Sequence, residues 1–169
     1  MPALEPPDTH HLSAALGWLE LGNPVEAGEE LARISASSLE HPDVLEIRWA
    51  VCAASKSWEA GLRAAELSVL KAPDRVSSWI HRAYALRRVK DGGLLPAFKA
   101  LRPALEKFPN EPIIPYNLAC YLAQLGDVED AWEWLQKSFQ AAGDAKQMKS
   151  MALSDKDLQP LWERIQKTA

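Results

Sequence analysis

The sequence predicts an all-α protein, an array of helix-turn-helix hairpins closed at the C-terminal end by a capping helix. Three observations predict it. Apolar residues recur at helical spacing, as in Val128, Ala131, Trp132, Leu135 and Phe139, where a 3.6-residue period gathers them on one face. The same skeleton returns along the chain with a nearly constant step. Within each copy, small residues stand where two helices would have to touch.

The step can be read in three registers. Ala15, Trp49, Ala83 and Ala119 occupy equivalent slots, separated by 34, 34 and 36 residues. Ala27, Gly61, Ala97 and Ala131 are separated by 34, 36 and 34, and Leu31, Ala65, Leu101 and Leu135 follow the same steps. Pro42, Pro73 and Pro109 close successive units, since proline stops one helix and can open the next. The one departure is a two-residue expansion at Asp91-Gly92-Gly93.

Taken in order, residues 1–8, with Pro2, Pro6 and Pro7, are expected as a disordered arm. Four hairpins fill 9–142, at about 9–42, 43–75, 76–111 and 112–142. Their first helices are expected at about 10–21, 43–55, 76–89 and 113–125. The second helices follow at about 25–39, 58–71, 94–107 and 128–141. Gly22 and Gly126 are natural stops, because glycine adopts the left-handed conformation that ends a helix. A capping segment over 143–169 then carries Leu158, Leu161, Trp162 and Ile165 at amphipathic spacing. An end unit needs such a lid, or its apolar face would stay in water.

Helix-turn-helix units of 34 residues resemble the tetratricopeptide repeat (TPR) family. The fourth unit, from Tyr116 through Leu125-Gly126-Asp127 to Phe139, is closest to the family pattern. The third matches through Trp79, Ala83, Leu86, Ala97, Leu101, Ala104 and Pro109. The second is degenerate, with Gly61 in an alanine slot and Arg48 where leucine is common, and the first is weakest. The resemblance implies a right-handed superhelical array whose first helices line a concave binding groove, and a protein or peptide as partner. TPR co-chaperones clamp a peptide's terminal carboxylate with Lys, Arg and Asn. The corresponding slots here hold Leu12, Leu16, Ile47, Ser77 and His81, which disfavours that ligand.

Charge narrows the function classes. The net charge of −4 argues against general nucleic-acid binding. Residues 1–60 carry −7, residues 61–110 carry +6, and residues 111–169 carry −3. The middle is thus the only section able to seek acidic groups. No apolar run is long enough for membrane insertion. MPALEPPDTHH lacks the basic start and apolar stretch of a signal peptide, which points to the cytoplasm. Cys52 and Cys120 are too few for a disulfide framework and read as reduced core thiols. His10, His11, His41 and His81 have no ligand spacing, and Gly92-Gly93 lacks the flanks of a phosphate loop. No nucleophile elbow is present. The chain is therefore read as no enzyme, with no metal site and no cofactor.

Binding is the remaining use of such a surface. On the third first-helix the free stripe includes His81, Tyr84, Arg87 and Arg88, and on the fourth it includes Tyr116, Asn117 and Gln124. Arginine pairs bidentately with carboxylates, so these seven residues form the expected groove for a segment carrying acidic groups. The other end of the stripe is apolar, through Leu12, Leu16 and Leu19. Arg48 and Arg82 share a slot one repeat apart that faces helix packing, so each is expected to pair with a carboxylate of a neighbouring helix. The leading function is a monomeric adaptor or scaffold for a protein or peptide segment. The alternatives are a self-associating structural module and a small bacterial secretion-type chaperone.

Overall fold

The computed structural model describes residues 3–168, and among these every regular element is helical. The chain forms two compact units, Met1–Val89 and Lys90–Ala169. Their boundary falls inside the third expected hairpin, beside the Asp91-Gly92-Gly93 expansion.

The first unit holds α1 (Asp8–Glu20), α2 (Pro24–Ala32), α3 (Pro42–Ala54), α4 (Trp58–Lys71) and α5 (Val76–Leu86). Local chemistry fixes their ends. Pro24 opens α2 behind Asn23, whose side chain accepts the Glu26 N–H at 3.3 Å. Pro42 opens α3, with His41 Nδ1 accepting from the Asp43 N–H at 3.2 Å. Gly22 turns the chain after α1 at φ 75°, and Lys56 occupies the equivalent slot after α3 at φ 56°. α1 packs on α2, α3 on α4, and α4 on α5. A buried Ser68–Ser78 hydrogen bond of 2.7 Å ties α4 to α5. The small apolar core joins Ala15, Ala27, Leu31, Ile34 and Val44, with Leu4 and Leu12 against it.

Two expectations are corrected in this unit. The second helix, expected to reach residue 39, ends at Ala32 and is followed by a 3₁₀ turn at Ala36–Ser38. The Asp8 carboxylate takes the Ser35 N–H at 2.9 Å and the Ser35 hydroxyl, which removes the donor that would extend α2. That contact also bears on the arm expected over 1–8. Met1 and Pro2 lie outside the described residues, but Leu4 packs against the core and Asp8 is only 6% exposed.

The second unit holds α6 (Leu94–Leu101), α7 (Ala104–Lys107), α8 (Ile113–Leu125), α9 (Val128–Ala141), α10 (Ala145–Ser154) and α11 (Trp162–Lys167). The single helix expected over 94–107 is split into α6 and α7 by Pro103, which lacks an N–H and whose ring crowds the preceding turn. α8 and α9 match their expected limits, and Gly126 terminates α8 at φ 88°. The lid is α10, a 3₁₀ segment at Lys156–Leu161, and α11, rather than one continuous helix. Leu158, Leu161 and Ile165 join Ala119, Ala131 and Leu135 in one core, with Trp162 packed against it. The Trp162 indole N–H donates to the Ala152 carbonyl at 3.0 Å.

The repeat register holds at atomic level. Ala15, Ala27, Ala65, Ala83, Ala97, Leu101, Ala119, Ala131 and Leu135 are all fully buried. Trp49 is the exception among these slots, being only half-buried.

Candidate functional site

The first-helix face of the first unit opens into a cleft of about 620 Å³. Leu4, Leu12 and Leu16 form one wall, and His41, Glu46 and Ile47 face them. Helical spacing explains the wall. Leu12 and Leu16 are four residues apart on α1, hence on one face, while Ala15 between them turns inward to the core. Leu16 is left 44% exposed, as sequence reasoning expected for the apolar end of the stripe.

α3 and α5 continue this face. Glu46 accepts the Ser77 hydroxyl at 2.9 Å and stands 3.7 Å from His81 Nδ1. The His81 ring stacks on Trp49 with centroids 3.6 Å apart and planes 3° from parallel. Burial between these groups holds His81 below the usual histidine range, with Glu46 opposing the shift. The ring is therefore uncharged at neutral pH.

Tyr84 lies edge-on to Trp49 at 6.0 Å and 5.9 Å from Trp58. Arg88 is clamped over the Tyr84 face at 3.4 Å, lies 5.0 Å from the Trp58 centroid, and donates to the Tyr84 carbonyl at 2.9 Å. Stacking on aromatic faces is an arginine's own favourable contact, so Arg88 is a fixed part of the cluster rather than a solvated charge. Arg87, the C-cap residue of α5, is likewise engaged.

The second unit places its three expected groove residues differently. Tyr116 is 4% exposed, and its hydroxyl donates to Asp155 at 3.0 Å. Burial raises its pKa, and the neighbouring Cys120 and Asp155 add to the shift. Gln124 donates to the Asp157 carbonyl at 2.9 Å, and Asn117 to the Ile113 carbonyl of its own helix at 2.8 Å. The cap thus buries Tyr116 and reaches Gln124, which stays exposed, while Asn117 is half-buried and bonds within its own helix. An acidic group does meet Tyr116, and it is Asp155 of the same chain.

The two half-buried arginines also part company. Arg82 lies 4.9 Å over the Trp79 ring and feels the carboxylate of Glu66 on α4, much as expected. Among the described residues Arg48 has no carboxylate in ion-pair range, unlike Arg33, Arg75 and Arg164, which corrects the expected pairing. Sequence reasoning also missed the Asp8–Ser35 contact, 27 residues apart, for which the helical period carries no signal. Cys52 and Cys120 are not joined in a disulfide, and the Cys120 thiol donates to Asp155 at 3.6 Å. Among the described residues no group of three or more His, Cys, Asp or Glu could hold a metal ion. None of the described helices is long and apolar enough to cross a membrane.

No family model and no curated protein matches the sequence. Solved structures do match. One, described as the crystal structure of MamA, superposes with a TM-score of 0.69 at 11% identity, covering 80% of this chain and 78% of that one. Another, described as MamA MSR-1 C2, gives a TM-score of 0.65 at 17% identity, covering 79% of this chain and 76% of the other. At such identity the likeness speaks for fold alone. The chain has an all-α, TPR-like fold.

Proposed function

We propose that this protein is a non-catalytic scaffold that holds a segment of another protein on the first-helix face of its first unit. One observation carries the reading. An open apolar cleft sits where a packed core would bury leucines, and Leu12, Leu16 and Ile47 line it. An exposed apolar concavity with a polar rim is the usual form of a protein contact surface. His81 and Tyr84 extend the face along α5 and offer aromatic contact, and Arg87 and Arg88 follow at the C-terminal end of that helix. The bound segment therefore anchors through apolar side chains, and any acidic group on it lies toward the α5 end. In the second unit Asp155 and Asp157 of the same chain already engage Tyr116 and Gln124, so the reading places the bound segment on the first unit.

The test is selection of peptides from a random library on immobilised wild type and on Leu16→Asp, a change at an exposed position. Wild type should enrich sequences with spaced apolar anchors, and the variant should lose them. If both enrich the same peptides, the cleft is not the site. Light scattering across concentration separates the self-associating alternative. A dimer that Leu16→Asp dissociates would mean that a second copy fills the cleft.

A further inference from the structure

A second concavity of about 280 Å³ lies between α3 and α4, in the same unit but lined by other residues. Leu45, Ala64 and Leu67 form its apolar wall, and Arg48, Arg63 and Cys52 complete it. Both guanidiniums act electrostatically on the Cys52 thiol, pulling its pKa down against the larger upward push of burial. Both line the pocket beside Cys52. Among the described residues neither has a carboxylate in ion-pair range, whereas Arg33, Arg75 and Arg164 each have one. Along α4, Glu59 is exposed and does not line the pocket, and Glu66 acts electrostatically on Arg82.

An arginine on a packing slot normally carries a buried counter-charge, because an isolated charge loses solvation there. Arg48 stands half-buried on such a slot, and Arg63, which is exposed, lines the same pocket. We infer that this pocket is a docking site for an acidic side chain of a partner protein. The two forks would take the carboxylate, and the wall of Leu45, Ala64 and Leu67 would take its methylene stem and an apolar neighbour. Two planar guanidiniums suit a carboxylate's bidentate geometry. The apolar wall favours a side chain over a free inorganic anion, which would leave that wall uncovered. The site does not depend on the cleft between α1 and α3.

Cys52 makes the site testable, because it lines the pocket while the other thiol, Cys120, is buried. Alkylation of Cys52 by iodoacetamide is followed by peptide mass spectrometry in the full chain. The probes are N-acetylated, C-amidated Leu-Glu-Leu, its Leu-Gln-Leu counterpart, and inorganic phosphate. Leu-Glu-Leu should slow Cys52 alkylation in a saturable way, and Leu-Gln-Leu should not. Arg48→Gln and, separately, the exposed Arg63→Gln should each weaken that protection about tenfold, the loss of one charge-assisted contact. Arg63→Gln keeps the experiment interpretable if Arg48→Gln unfolds. Equal protection by phosphate, or by Leu-Gln-Leu, would overturn the proposal. So would no protection by any probe.

Discussion

Two hairpins with the same ground plan, α3–α4 in the first unit and α8–α9 in the second, solve the same packing problem with different residues. In α8–α9 the close-approach slots hold Ala119 and Ala131, both fully buried, and Gly126 makes the turn at φ 88°. In α3–α4 the matching slots hold Trp49 and Gly61, and Lys56 makes the turn at φ 56°. The large residue and the missing side chain stand against one another. A Cβ on Gly61 would sit 3.9 Å from the Trp49 ring and 3.4 Å from the Cys52 Cβ. Both are ordinary van der Waals contacts, so any compensation between them is a matter of fit rather than of a clash relieved. The indole that a buried alanine slot could not hold instead reaches outward and stacks on His81. The departures from the repeat pattern are thus what build the aromatic face, whereas the hairpin that keeps the pattern is sealed by its own cap.

The largest effect should come from unsealing that cap. Trp162→Ala removes an aromatic packed against the second unit's core and the hydrogen bond to Ala152. Because Trp162 is only partly buried, the loss should fall at the lower end for aromatic truncation, about 3 kcal/mol. Denaturant unfolding monitored by fluorescence reads it directly. A midpoint equal to that of wild type would mean that the lid does not stabilise the hairpin beneath it.

The compensation itself can be broken by moving half of it. Ala119→Trp puts the first unit's large residue into the second unit, where Ala131 retains its Cβ and no space exists. Overpacking of this kind should destabilise by about 2–3 kcal/mol. Pairing it with Ala131→Gly should recover part of the loss in a double-mutant cycle. If the two changes simply add, Trp49 and Gly61 are independent features of α3–α4 and the comparison fails.

The turn slot sharpens the same contrast at smaller scale. A left-handed conformation disfavours any residue with a Cβ by about 1 kcal/mol or more, and Lys56 adopts it while Gly126 occupies the same slot at no such cost. Lys56→Gly should therefore raise stability, and Gly126→Lys should lower it, each by about 1 kcal/mol. Thermal melts of the pair decide it, and opposite signs are the required outcome.

These contrasts also mark what was legible in the sequence. The period located the close-approach slots, and all but Trp49 are buried, because spacing is a one-dimensional property that packing preserves. Gly126 and Pro42 declared their helix ends through backbone chemistry alone. The cap was legible as an apolar spacing at Leu158, Leu161, Trp162 and Ile165, but its path across α8 was not. That path is set by Asp155 and Asp157 meeting Tyr116 and Gln124 more than thirty residues away. Tyr116 was accordingly read as open to a partner although its hydroxyl is taken by Asp155. Periodicity assigns a stripe to a face without saying whether the chain itself returns to cover it. Arg88 was read as a free charge for a similar reason, since its clamping by Tyr84 and Trp58 needs residues from two helices.

The smallest expected effect concerns the start of the first unit, where the sequence carried no signal. Hydrogen bonds from the Ser35 hydroxyl, then Ser38, then the Ser35 N–H hold the Asp8 carboxyl below its usual range. A carboxyl with a depressed folded-state pKa binds fewer protons folded than unfolded, so stability rises with pH through that interval. The contribution is fully present above the unfolded-state value and disappears as pH falls through the folded-state one. Asp8→Asn should separate from wild type at neutral pH and converge with it in acid, below the ordinary carboxylate range. Melting curves of both proteins across an acid series measure the difference. The second unit has no counterpart of this contact at its own first helix, so its melting should not distinguish the two proteins at any pH. A gap that persists undiminished in acid would show that Asp8 acts through shape rather than charge, and that α2 ends at Ala32 for another reason.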